Sequence, residues 1–256
     1  MHNSTTRPIV LITGASRRLG RAIALDFARR GWATALHVHE DDTDSVSLVE
    51  EIETFGGAAT VFPADLRDQA SVERLVPAVV RRLGAPCCLV NNASVFVYDD
   101  ISTLAAAQWD LHFAVNLRAP VFLSQAMAQH LHEPEHGTII NIIDQRVWKP
   151  TPHFLSYGGA KSALWAMTQT LAQALAPRIR VNAIGPGPML RSIHQSEADF
   201  RAQCDSTLLQ HGTNPGEIVA AIRFIVDAPS MTGQMIALDG GQHLAWRTPD
   251  IGDGRG

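Results

Sequence analysis

Tyr157 and Lys161 stand four residues apart in the string Tyr-Gly-Gly-Ala-Lys, the spacing that puts two side chains on one face of a helix. A phenol ordinarily ionises near about pH 10, and an ammonium group beside it favours the phenolate. The pair reads as a proton donor with an electrostatic partner. The same spacing also occurs as an ordinary surface pair, so its meaning depends on what surrounds it.

A second segment with chemical potential is Leu11-Ile-Thr-Gly14-Ala-Ser-Arg17-Arg18-Leu19-Gly20, which joins an apolar run to an amphipathic one. A strand-to-helix turn of this kind aims backbone N–H groups and a helix dipole at a pyrophosphate. Gly14 permits the tight turn, and Gly20 lets helix and strand approach closely. Further along, Asp65 follows the third apolar run, where a carboxylate can accept from an adenine amino group or cap a helix. Asn91-Asn92-Ala93-Ser94 follows the fourth run, as ligand contacts at a sheet edge or as turn residues.

The elements that must hold these groups alternate between apolar strands and amphipathic helices, the pattern of a parallel sheet covered on both faces. Strands are predicted over residues 9–12, 33–37, 60–63, 87–91, 138–143, 180–184 and 234–238. Helices are predicted over 18–31, 45–55, 72–83, 106–131, 157–175 and 217–226. The expected fold is α/β, a single Rossmann-type doubly wound parallel sheet spanning residues 7–247, with flexible ends at 1–6 and 248–256.

Bulk composition narrows the function. A chain of 256 residues fits one large domain with a buried core. A net charge of −4 without a basic face gives no electrostatic reason for binding nucleic acid or anionic lipid. No apolar run is long enough to cross a bilayer, and no leader segment is evident, so a soluble cytoplasmic protein acting on small molecules is expected. The three cysteines, Cys87, Cys88 and Cys204, form no metal or disulfide pattern and are expected to be buried thiols. The stretch His130-Leu-His132-Glu-Pro134-Glu-His136 is broken by its proline and reads as a solvated turn, so no metal site is expected.

The strings TGASRRLG, NNAS, YGGAK and GPG, in this order across residues 9–243, resemble the motif series of the short-chain dehydrogenase/reductase family. The resemblance implies a nicotinamide dinucleotide held by Gly14, Arg17, Arg18, Leu19, Gly20, His39, Asp65, Leu66, Asn92, Ala93, Ser94, Pro186 and Gly187. It implies that Tyr157 delivers a proton, that Lys161 also holds the nicotinamide ribose, and that Asn116 supports the lysine through water. It also implies a homotetramer built through the helices that carry Asn116 and Tyr157. Leu164, Trp165 and Leu171 could serve that interface or face the core.

Three departures from the family pattern carry information. Arg18 stands where the family has glycine, Ser94-Val-Phe96 replaces another glycine, and Asp144 occupies the place of a serine thirteen residues before the tyrosine. An ionised carboxylate only accepts hydrogen bonds and repels a developing alkoxide, which argues against ketone reduction. It suits a nitrogen heterocycle rich in N–H and amino groups. Together the departures resemble the pteridine reductase and dihydromonapterin reductase branch, in which Phe96 would stack on the pterin and Ser94, Asp144 and Tyr157 would contact it.

Arg17 and Arg18 favour the 2′-phosphate of NADP(H), while Glu40 and Asp41 after the second strand leave NAD(H) open. A carbonyl reductase acting on a 3-oxoacyl or sugar ketone is the nearest alternative. A non-catalytic dinucleotide sensor is the alternative of another class, opposed by the intact Asn116, Tyr157 and Lys161. Residues 189–212, with Arg191 and His194, read as a mobile lid that sets substrate identity.

Overall fold

The computed structural model describes residues 7–40, 43–191 and 195–246. The ends expected to fray lie outside these residues, as does His194.

Seven parallel strands form one sheet in the order β3-β2-β1-β4-β5-β6-β7. They are β1 (Ile9–Ile12), β2 (Ala33–Val38), β3 (Ala58–Pro63), β4 (Cys88–Asn91), β5 (Gly137–Ile142), β6 (Ile179–Pro186) and β7 (Met235–Leu238). Strand order reverses between β1 and β4, and the crevice at their carboxyl ends is where an open α/β sheet accepts a ligand. Side chains of β1 alternate between faces, as the pleat requires. Val10 and Ile12 pack with helices α1 (Arg18–Arg29), α2 (Thr43–Thr54) and α8 (Pro215–Asp227), while Ile9 and Leu11 pack with α3 (Gln69–Leu83), α5 (Ala119–His130) and α6 (Leu155–Leu175). The doubly wound parallel sheet expected from the apolar pattern is the observed fold.

The helix expected over 106–131 is two helices. α4 (Ala106–Phe113) ends in a π-helical turn, Ala114–Arg118, before α5 begins with Pro120 in its first turn. The wider turn inserts one extra residue locally and carries Asn116, and such turns gather at functional sites. α6 opens at Leu155, so Tyr157 sits inside its first turn rather than at its start. Within the expected lid lies a helix absent from the sequence reading, α7 (Glu197–Asp205), which has no buried residue.

Asn91 is the last residue of β4, within the strand expected over 87–91. Its amide donates to Asn141 Oδ1 at 2.8 Å across the β4–β5 pairing, and the Asn141 amide donates to Thr168 Oγ1 of α6 at 2.9 Å. Cys88 is buried, Cys87 and Cys204 are half-buried, and all three are free thiols. Leu164 faces the core, whereas Leu171 lines an apolar groove with Val121, Phe122 and Leu175 between α5 and α6. Among the described residues no helix is long and apolar enough to cross a membrane, and no group of three or more His, Cys, Asp or Glu side chains is placed to hold a metal ion.

Candidate active site

The β1–α1 turn is shaped as its glycines predict. Gly14 has φ +63°, and a Cβ on Gly20 would lie 2.0 Å from the Gly14 carbonyl oxygen. Arg17, the N-cap of α1, makes no side-chain cap bond, so the first N–H groups of the helix are open to an anion. This cradle fits a pyrophosphate. Arg18 adopts φ +50°, which accounts for the family's glycine at this position: only glycine enters that region without a steric penalty.

His37 on β2 holds the turn from below. The Gly14 N–H donates to His37 Nδ1 at 3.1 Å, so the ring proton resides on Nε2, which donates to the Ala64 carbonyl at 3.0 Å. Burial lowers the His37 pKa to about 4, opposed by the Ala64 hydrogen bond, and the ring is neutral at physiological pH. From the β4 side, the Asn92 amide donates to the carbonyls of Thr13 at 2.9 Å and Gly14 at 3.0 Å. The N–H groups of Asn92 and Ala93 donate to Thr13 Oγ1, each at 2.9 Å.

The two arginines part company. Arg17 pairs with Asp44 at the start of α2, beside the carboxyl end of β2. Arg18 reaches across the crevice and donates to the carbonyls of Leu190 at 2.9 Å and Arg191 at 3.1 Å, in the segment after β6. Asp65 accepts from the N–H and guanidinium of Arg67, with His39 Nδ1 at 3.8 Å; the Arg67 bonds hold its carboxyl below the usual range. It caps no helix. Asp68 does so instead, accepting from the N–H groups of Ala70 and Ser71 at the start of α3.

Tyr157, Lys161 and Asp144 meet as expected, but their electrostatics differ from the sequence reading. Tyr157 Oη donates to Asp144 Oδ2 at 3.0 Å, and Lys161 Nζ donates to the Ile142 carbonyl at 2.9 Å while lying 5.7 Å from the centre of the Tyr157 ring. Burial, then the Asp144 carboxylate, push the phenol well above its ordinary pKa, against a smaller opposing effect of Arg146. Lysine was expected to favour the phenolate. Burial of the phenol, and then a carboxylate in direct contact, act the other way and favour the protonated phenol. Burial lowers Lys161 to about 8, opposed by Asp144.

The Asn116 side chain has its direct hydrogen bonds with Val95, and the Lys161 ammonium has its own with Ile142. The asparagine amide exchanges two hydrogen bonds with the backbone of Val95, accepting from the N–H and donating to the carbonyl, each at 2.9 Å. The π turn thus holds the irregular segment after β4 that carries Ser94 and Phe96. Phe96 stacks on Phe154 with centroids 4.2 Å apart and meets Tyr157 edge-on at 4.7 Å. Phe154 has φ +57° and is the N-cap of α6, and the Arg146 guanidinium lies over both phenylalanine rings. Nothing in the periodicity pointed to Phe154 or Arg146.

Behind these rings runs a buried chain of polar groups. The Val97 N–H donates to His112 Nε2 at 3.2 Å, which leaves the ring proton on Nδ1 to donate to Ser156 Oγ at 2.6 Å. Ser156 Oγ in turn donates to Asp99, and the Ser156 N–H donates to the same carboxylate at 3.2 Å. All three side chains are fully buried.

At the far side of the crevice β6 delivers Pro186 and Gly187, and a Cβ on Gly187 would lie 2.6 Å from Asp239 Cα. The glycine is required for that close approach.

Comparison with known proteins agrees with this arrangement. The family model described as short chain dehydrogenase matches residues 8–201. A crystal structure of FolM alternative dihydrofolate reductase 1 from Brucella suis, in complex with NADP, is 48% identical, covers 96% of this chain and 98% of its own, and superposes with a TM-score of 0.92. The corresponding Brucella canis structure, also with NADP, is 47% identical over the same shares with a TM-score of 0.90. A probable 2,4-dienoyl-CoA reductase of Bacillus subtilis is 30% identical over 248 residues, 92% of this chain and 96% of that protein. This chain belongs to the short-chain dehydrogenase/reductase family of oxidoreductases.

Proposed function

We propose that this oxidoreductase reduces a C=N bond of a pterin-like heterocycle with NADPH. The observation that carries the reading is the contact between Tyr157 Oη and Asp144 Oδ2, with Phe96 edge-on to the same phenol. The similarity to two FolM dihydrofolate reductases crystallised with NADP supports both substrate class and cofactor.

NADPH would supply the hydride. Gly14, Leu19 and Gly20 would offer the pyrophosphate the open turn and helix end, Asn92, Ala93, Pro186 and Gly187 would bound the crevice, and Asp65 with Leu66 would bound the adenine. Arg17 and His39, at the carboxyl end of β2, would meet the 2′-phosphate, while Arg18 serves the opposite end of the crevice. Lys161 has one ammonium proton engaged by Ile142, leaving two for ribose hydroxyls.

Tyr157 acts as a loaded acid. Its raised pKa keeps the proton on Oη until hydride addition makes the substrate nitrogen basic enough to take it. Asp144 accepts from the ring's N–H and amino groups, Phe96 offers an aromatic edge to a flat substrate, and Ser94 adds a hydroxyl at the mouth. An alkoxide formed at the same place would face the Asp144 carboxylate, which disfavours ketone reduction.

We infer further that the chain works in the cytoplasm, which suits its free thiols, as a homotetramer using the groove between α5 and α6. The test of function is turnover with a panel of dihydropterins and ketones, followed at the reduced nicotinamide absorbance. Reduction of ketones with indifference to every pterin refutes the substrate class, and light scattering reads the assembly.

A further inference from the structure

Arg146 is a charged group at the aromatic wall that the proposed chemistry leaves unused. Its backbone N–H donates to Asp144 Oδ1 at 2.8 Å, which fixes the residue beside the carboxylate. Its guanidinium stands 5.5 Å from the centre of the Phe96 ring and 5.1 Å from that of Phe154. It meets Asp144 Oδ2 only at 3.9 Å, beyond hydrogen-bond range, and makes no side-chain hydrogen bond to any other described residue. A guanidinium carries five N–H donors in a rigid plane, and this one is only 21% exposed. Half-buried, beside the stacked rings and ion-paired with Asp144 beyond hydrogen-bond distance, it keeps its guanidinium donors free of any hydrogen bond to another described side chain or carbonyl.

We propose that Arg146 is a substrate-binding residue that donates to the ring oxygen of a cyclic amide, so that Asp144 and Arg146 together read a 2-amino-4-oxo pyrimidine edge. This deepens the pterin reading and rests on it. The chemistry is a two-point match. A lactam edge presents an N–H donor beside a C=O acceptor, and the protein presents a carboxylate acceptor beside guanidinium donors. Asp144 can take the ring N–H through a free lone pair even while Arg146 N–H and Tyr157 Oη occupy others, since a carboxylate offers about four. The cation also limits how the substrate can sit. A ring with an amino group in place of the oxygen would set donor against donor, which costs more than the loss of a bond because both groups stay desolvated.

Oxo and amino ligands separate this assignment from a structural role. The full-length protein, saturated with NADP+, is titrated with a 2-amino-4-oxo-7,8-dihydropteridine and with 2,4-diaminopteridine, binding being read by quenching of tryptophan fluorescence. Arg146→Met keeps the length of the side chain and its packing on the rings. The expected result is that it weakens the oxo ligand about tenfold or more while changing the diamino ligand less than about threefold, the loss of one charge-assisted hydrogen bond. Arg146→Lys should recover part of the oxo affinity. Equal losses for both ligands, or no loss for either, overturn the assignment, and unchanged NADP+ affinity in both variants verifies the fold of the site. If the wild type binds neither ligand, it is the pterin reading itself that fails.

Discussion

Tyr157 Oη donates a hydrogen bond to Asp144 Oδ2 at 3.0 Å, so the residue expected to donate to substrate rests on a carboxylate. Burial first and this carboxylate second raise the phenol's pKa. Replacing Asp144 by serine removes a charge that raises the phenol's pKa and supplies a hydroxyl that can donate to a carbonyl oxygen. Asp144→Ser is expected to lose dihydropterin turnover by about tenfold or more and to gain measurable ketone reduction. Comparing kcat/KM for both substrate classes in both proteins checks this; unchanged pterin turnover would remove Asp144 from the mechanism.

Removing the proton donor alone should leave cofactor binding intact. Tyr157→Phe is expected to bind NADPH as the wild type does and to lose about 10² or more in kcat. Lys161→Ala should damage both, since it deletes a charge near the phenol and a ribose donor together.

Lys161 also predicts a pH limb. Its folded pKa is lowered to about 8, so the ammonium is present below that value and is lost as pH rises through it. With it goes the charge that stabilises the phenolate left after proton transfer. Accordingly kcat/KM of the wild type should fall above about pH 8, and a Lys161→Met variant should show a low, flat profile across the same interval.

Separation of the two arginines makes a distinction between their effects on cofactor choice. NADPH should be preferred over NADH, and Arg17→Ala should cut that preference by about tenfold or more, the scale of one charge-assisted contact. Arg18→Ala should leave the preference nearly unchanged and act on substrate KM instead, because its guanidinium reaches Leu190 and Arg191. Titrating both cofactors against both variants decides it.

His37 gives a stability prediction. Its pKa is about 4 when folded and 6.5 as its ordinary value, so below pH 6.5 the unfolded chain takes up a proton that the folded one refuses. Stability contributed by the neutral ring is complete above 6.5 and is lost progressively as pH falls toward 4. Between pH 7.5 and 5 the wild type should lose about 2 kcal/mol from this group. Urea unfolding of the wild type and of His37→Gln at both pH values should show a smaller loss in the variant.

The sequence disclosed what is periodic or chemically conspicuous. Seven strands and the helices between them follow from apolar patterning, and Gly14, Gly20, Tyr157 and Lys161 stand where a turn or a helix face requires them. The π turn at Asn116 left no trace, because one added residue hardly alters the apolar pattern of a long helical run. The upward push on the Tyr157 pKa was not legible for a related reason: four-residue spacing gives the lysine's proximity but not the depth of burial or the closeness of Asp144. Phe154 and Arg146 join the site only through a left-handed residue at the start of α6 and a short turn after β5, neither of which has a local signature. α7 escaped because a helix with no buried face has no apolar period to read.

The chain Val97–His112–Ser156–Asp99 has a bearing on how a substrate gets in. It stitches the segment that bears Phe96 to the start of the helix that bears Tyr157, with every hydrogen in it spoken for. The two segments are thus joined through fully buried hydrogen bonds, which are costly to break to admit a bulky ring. The opposite bank is held more lightly: α7 buries nothing, and Arg18 donates to two main-chain carbonyls at the surface. Variation in substrate size among relatives is therefore expected to be written in and around α7 and seldom in the Phe96 and Tyr157 segments that this hydrogen-bonded chain ties together.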